Sequence, residues 1–211
     1  MEALAVILMI FSIVVFGMRS YKFAIGFYTA NALCLVSLFF VLAMRYGANE
    51  LYFWAIAALF TKVILVPCVL FWTLKKINLE FENEPYCGFF LSPVIAFGFG
   101  LGLALLLEPV FIKFALIKEQ IIIISAIFCF WVGVCGFVLR RSFLKQILSY
   151  CLIENAIHLN LATNAYNAYS LVEIGILSDA VFAICVMCAL ALRFKEVFGS
   201  QNVNLACDLK G

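Results

Sequence analysis

Seven long apolar runs, separated by short charged or polar breaks, make up almost the whole chain. They extend over Ala3 to Met18, Phe23 to Met44, Leu51 to Leu74, Gly88 to Leu107, Gln120 to Leu139, Phe143 to Tyr166 and Leu171 to Leu192. Runs of about 20 apolar residues are what a helix needs to cross a hydrocarbon core. Backbone groups in lipid must satisfy one another, so each run predicts a helix. The first is short, about 24 Å at ~1.5 Å per residue, and leans on its flanks to reach both interfaces. The expected fold is therefore all-α, a polytopic membrane helix bundle of about seven transmembrane helices. The longest break, Lys75 to Cys87, carries Glu80, Glu82, Glu84 and Pro85 and reads as a cytoplasmic link. Residues 1–117 form an expected N-terminal four-helix region, and residues 118–211 a three-helix region with a short cytoplasmic tail.

The basic residues give the bundle a direction. One side collects Arg19, Lys22, Lys75, Lys76, Arg140, Arg141, Lys145, Arg193, Lys195 and Lys210, and the other only Arg45, Lys113 and Lys118. Cytoplasmic loops carry the excess of Lys and Arg, so the N-terminus is expected outside and the C-terminus inside. Composition agrees: 67% of the 211 residues are apolar and only 12% charged, with a mean hydropathy of +1.15. A soluble domain is about a quarter charged, so a soluble enzyme, a nucleic-acid-binding domain and a disordered chain are all excluded. The first run follows Met1-Glu2 without a basic leader, which argues against a cleaved signal peptide.

Seven of the nine cysteines, Cys34, Cys68, Cys129, Cys135, Cys151, Cys185 and Cys188, fall inside apolar runs, where cysteine packs as a small hydrophobe. Cys185 and Cys188 form a C-x-x-C without a second pair or a histidine to complete a metal site. Gly98 and Gly102 make a G-x-x-x-G, whose ordinary meaning is close helix contact. Neither a metal nor another cofactor is expected, and no triad, phosphate loop or metal cluster predicts independent catalysis.

Besides Lys145, counted with the cytoplasmic-side charges, five Lys, His, Asp or Glu residues lie within the spans: Lys62, Glu154, His158, Glu173 and Asp179. A lysine or aspartate at a helix centre costs about 2.5–3.5 kcal/mol to insert, and such residues face the bundle interior and mark ion or proton paths. The alternative is a charge pair that only fixes helix packing. Gln146, Tyr150, Glu154 and His158 recur every fourth residue and form one polar stripe, with Cys151 and Asn155 close to the same face. Glutamate and histidine one turn apart can exchange a proton through a water. Counting residues puts Glu154, His158 and Asp179 at similar depths on consecutive antiparallel helices, with Glu173 near the outer surface. Lys62 sits mid-span, five residues before the helix-kinking Pro67, and matches Glu154 in depth, so those two are the expected pair. Nothing else in the sequence supports a retinal-bearing lysine.

The stretch from Trp131 to Gly211 resembles the three-helix K subunit (NuoK-like) of respiratory NADH:quinone oxidoreductases and the matching small subunit of cation/proton antiporters built from several chains. Gly133, Gly136, Arg140-Arg141-Ser142-Phe143-Leu144, Asn155-Ala156, Asp179 and the tail from Asn202 carry that likeness. The resemblance implies two membrane-embedded acids implicated in proton transfer. Asp179 matches the second; the first falls on Cys151, and Glu154 one turn on is its candidate substitute. The whole chain resembles the component E family of hydrogenase-4 or formate hydrogenlyase-type complexes. Ser20-Tyr21, Gly26-Phe27-Tyr28, Thr61-Lys62-Val63-Ile64-Leu65-Val66-Pro67, Tyr150 to Asn155, His158-Leu159 and Val172 to Ile176 carry this second match.

What the second resemblance implies is a membrane-arm subunit of a nickel–iron hydrogenase complex in the bacterial inner membrane, without a redox centre of its own. Its partners would be antiporter-like and anchor subunits and the lipid bilayer, and no nucleic acid. The alternatives are a subunit of a cation/proton antiporter and a purely structural membrane-arm subunit.

Overall fold

The computed structural model describes residues 1–82, 85–166 and 170–208, and of residues 170–180 and 206–208 only the backbone. Helix α1 is Glu2–Gly17 and α2 is Tyr21–Tyr46. Helix α3, Glu50–Ala58, continues through a π-helical stretch, Leu59–Leu65, into α4, Val66–Ile77. Then follow α5 (Gly88–Phe114), α6 (Gln120–Leu139), α7 (Phe143–Asn164), α8 (Ser170–Phe198) and a 3₁₀ turn, Val203–Asp208. No strand occurs among the described residues, and the all-helical expectation holds. Four of the described helices are long and apolar enough to cross a membrane: Tyr21–Tyr46, Glu50–Ile77, Gly88–Phe114 and Gln120–Leu139. Glu2–Gly17 is apolar but shorter.

Helix α6 lies in the middle, packed on α7, α5 and α1, while α2 packs on α1, α3 and α7, and α8 on α4 and α7. One apolar cluster joins Leu8 and Phe16 of α1, Leu35 and Phe39 of α2, and Phe128 and Val132 of α6. A second joins Tyr28, Leu70, Leu152 and Ile184 of α2, α4, α7 and α8. Helix α5 is peripheral and turns Phe90, Leu106 and Phe114 outward, as a helix facing lipid does.

The glycines that bring helices together are not the pair the G-x-x-x-G spacing suggests. A Cβ on Gly98 or Gly102 meets nothing within 4 Å, whereas one on Gly100 would lie 3.3 Å from Phe128 and Val132. The G-x-x-x-G expectation is therefore corrected: the spacing puts Gly98 and Gly102 on one face, but that face is turned away from α6. The closest approach is between α6 and α7. A Cβ on Gly133 would lie 2.6 Å from the Ile153 side chain and 3.0 Å from the Ile153 nitrogen and Ser149 carbonyl. One on Gly136 would run into the Ser149 hydroxyl and Phe16.

At the basic end of the bundle two short turns are clasped by distant segments. Residues 18–20 pair with the loop after α4, through Tyr21 N–H to Glu80 O (3.2 Å) and Glu82 N–H to Arg19 O (3.0 Å). Residues 140–142 pair with the C-terminal tail, through Phe143 N–H to Gln201 O (3.2 Å) and Val203 N–H to Arg141 O (2.8 Å). Arg140 is wholly buried. Its Nη1 donates to Glu82 Oε2 at 2.9 Å and its Nη2 to Phe16 O at 2.5 Å, and its guanidinium lies 4.4 Å from the Phe16 ring centre. Lys145 is buried too, donating to Val15 O at 2.8 Å. The sequence pattern counts Arg140 and Lys145 as water-facing charges and Glu82 as part of an exposed link. All three are instead interior, because the last carbonyls of α1 have no partners within their own helix and accept the two cations.

Candidate functional site

The polar stripe on α7 is formed as the four-residue spacing requires. Gln146 Nε2 donates to Arg140 O at 3.1 Å, and the Tyr150 hydroxyl donates to Glu154 Oε1 at 2.9 Å. The His158 ring comes back over the turn before it, its Nδ1 2.8 Å from the Glu154 carbonyl oxygen. The nearer Glu154 carboxylate oxygen is 3.6 Å from that nitrogen, beyond direct hydrogen-bonding range.

Lys62 reaches this stripe from the opposite wall. In the π-helical stretch the hydrogen-bond ladder slips by one residue, so that Val66 N–H bonds to Thr61 O. Pro67, which follows at once, has no N–H to restore the α-helical ladder. The widened turn carries Lys62 inward, where it is 3% exposed. Its Nζ lies 2.8 Å from His158 Nδ1. Glu154, the carboxylate expected at the same depth, lines the same cavity as Lys62, while the hydrogen-bond partner of the lysine is His158.

Glu154 and Lys62 both line a small cavity with Tyr28, Thr61, Val66, Cys151, Val181 and Ile184. Its volume is about 10 Å³, about the lower limit for one water molecule. Tyr28 from α2 faces this cavity together with Cys151, the position to which the resemblance assigned the first family acid. Two buried atoms of the site have no hydrogen-bond partner among the described residues: Glu154 Oε2 and His158 Nε2. Glu173 and Asp179 fall on α8 where the side chains lie outside the described residues.

A second buried polar chain runs beside the first, and no spacing in the sequence announces it. The Ser12 hydroxyl donates to Leu8 O at 2.9 Å, Asn31 Nδ2 reaches Ser12 Oγ at 3.0 Å, and Asn155 Nδ2 donates to Asn31 Oδ1 at 3.0 Å. It links α1, α2 and α7 next to Glu154. The available signal was Asn31 itself, a lone amide in an otherwise apolar stretch of α2, since buried amides are placed where they find partners. Nothing among the described residues gathers three His, Cys, Asp or Glu side chains around a metal position. The eight described cysteines are free thiols.

Chemically, the site is a row of titratable groups in a mostly apolar bundle. Tyr150, Glu154, His158 and Lys62 follow one another at hydrogen-bond or near-hydrogen-bond distances, and charged groups at such depth are retained where ions or protons move.

Residues 121–211 match the family model of NADH-ubiquinone/plastoquinone oxidoreductase chain 4L. The full chain is similar to hydrogenase-4 component E of Escherichia coli (strain K12), with 35% identity over 208 residues, 99% of this chain and 96% of that one. The same figures hold for hydrogenase-4 component E of Escherichia coli O157:H7 and of Shigella flexneri. No solved structure matches the chain. The matched stretch 121–211 contains Glu154 and His158, whereas Lys62 and Tyr28 reach the site from the part of the chain before it.

Proposed function

The chain belongs to the hydrogenase-4 component E family, and we propose that it is a membrane-arm subunit of a nickel–iron hydrogenase complex that moves protons through its own bundle. Electron transfer takes place in partner subunits, and the bundle supplies protonatable side chains. Glu154, His158 and Lys62 form the central element, with Asp179 and Glu173 on α8 extending it toward the outer face. The protein crosses the bacterial inner membrane seven times, N-terminus outside, beside antiporter-like and anchor subunits.

The observation that carries this reading is the 2.8 Å contact between Lys62 Nζ and His158 Nδ1 beside the Glu154 carboxylate. A lysine, an imidazole and a carboxylate from two helices meet in an interior where each charge is costly. A static brace calls for a single opposite-charge pair. Here the lysine instead contacts a group whose protonation changes near neutrality in water, and one carboxylate oxygen has no hydrogen-bond partner among the described residues.

Isosteric substitution in the assembled complex is the test. Glu154→Gln and Asp179→Asn preserve shape and hydrogen bonding but cannot carry a proton. Normal assembly with reduced proton translocation is expected, and undiminished translocation in both variants would refute the reading. Isolation of the tagged chain with hydrogenase large and small subunits is expected, whereas isolation within an antiporter assembly would replace the hydrogenase assignment.

A further inference from the structure

His158 Nδ1 has two partners at the same distance, and they make opposite demands. Lys62 Nζ lies 2.8 Å away and, when charged, only donates, so Nδ1 must then be bare. The Glu154 carbonyl oxygen also lies 2.8 Å away and only accepts, so Nδ1 must then carry hydrogen. One nitrogen of a neutral imidazole cannot meet both demands at once. The carbonyl four residues back is the local partner within the helix, and Lys62 is the long-range competitor. On the far side of the ring, Nε2 is buried and has no hydrogen-bond partner among the described residues, while His158 as a whole is 5% exposed.

We propose that His158 is a two-sided proton relay whose tautomer is set by the charge on Lys62. With Lys62 as ammonium, Nδ1 accepts its hydrogen bond and the ring proton sits on Nε2. In the transfer step a Lys62 N–H bond breaks and an Nδ1–H bond forms. The Nε2–H bond breaks in concert, and its proton passes to a water molecule on that side. Lys62 is left as a neutral amine, the ring is neutral before and after, one proton has crossed it, and no electron changes hands. The new Nδ1–H then donates to the Glu154 carbonyl, already 2.8 Å away. Both end states therefore keep Nδ1 bonded without moving the backbone, which is what a relay needs and a static brace does not. A bare Nε2 is then left facing the other side, ready to accept.

This inference rests on the proton-transfer reading above but is measured without turnover. The chain contains one histidine, so the full protein labelled with ¹⁵N-histidine and placed in lipid bilayers gives the signals of this ring alone. Bare and protonated ring nitrogens are well separated by solid-state NMR. Wild type is expected to show a bare Nδ1 and a protonated Nε2, and Lys62→Met the reverse. A wild-type proton on Nδ1, or the same tautomer in both proteins, would overturn the relay. Should Lys62→Met fail to fold, Lys62→Gln is read in the same way, with a proton on Nδ1 expected and an unchanged tautomer overturning the relay. The wrong tautomer sinks the relay and leaves the broader proton-transfer reading standing. Undiminished translocation in Glu154→Gln and Asp179→Asn sinks that broader reading whatever the tautomer.

Discussion

Replacing Gly133 by alanine adds one methyl group where α6 and α7 touch, and its effect can be worked out from the contact. The new Cβ would lie 2.6 Å from the Ile153 side chain, which can turn aside, and 3.0 Å from the Ile153 nitrogen and Ser149 carbonyl, which cannot. Ordinary contacts are about 3.5–4 Å, so α7 must recede by about 0.5 Å at Ile153. Overpacking of this kind costs about 1–3 kcal/mol. On the scale of a soluble domain of this size that lowers the melting temperature by roughly 2–12 °C. The displacement matters for the site as well, because Ile153 immediately precedes Glu154. Good hydrogen bonds span only about 2.7–3.2 Å, so a shift of that size is enough to disturb the 2.8 Å contact between Lys62 and His158. Thermal unfolding in detergent, with the histidine ¹⁵N spectrum on the same sample, reads both effects. Gly98→Ala and Gly102→Ala are the controls, since a Cβ at either position meets nothing within 4 Å. A Gly133→Ala protein that melts within about 1 °C of wild type, with an unchanged histidine spectrum, would refute the reasoning.

Three further expectations follow from the same geometry. Asn155→Leu leaves the Asn31 side-chain oxygen Oδ1 buried without its 3.0 Å donor, and thermal unfolding should register a loss of about 1–3 kcal/mol. Glu82→Gln and Arg140→Met touch the two ends of one buried 2.9 Å ion pair, so a double-mutant cycle should give a favourable coupling of about 0.5–3 kcal/mol; additive losses would mean that the pair does not clasp the loop. A topology reporter fused after Gly211 should be active only as a cytoplasmic marker, and periplasmic activity would contradict an odd number of crossings.

The apolar runs made the helices legible, and the four-residue spacing of Gln146, Tyr150, Glu154 and His158 made the α7 stripe legible, because both depend only on local periodicity. That Lys62 points inward was legible from the cost of a lysine in lipid. Its partner was not, since the π turn at Leu59–Leu65 changes the angular register and no residue pattern announces it. Spacing also gave Gly98 and Gly102 a shared face without saying which way that face turns. Arg140 and Lys145 were unreadable for a different reason. Their acceptors on α1 and their carboxylate on Glu82 are 58 to 130 residues away, and charge counting sees only immediate neighbours.

The central claim is that the buried Glu154 site carries protons, and proton translocation per electron in sealed membrane vesicles tests it most directly. The complex bearing Glu154→Gln is compared with wild type and with Glu108→Gln, a substitution of another acid within a helix, on peripheral α5. With equal assembly in all three, the account predicts that Glu154→Gln loses most of the proton signal and that Glu108→Gln retains it. Equal proton-to-electron ratios in wild type and Glu154→Gln would contradict it.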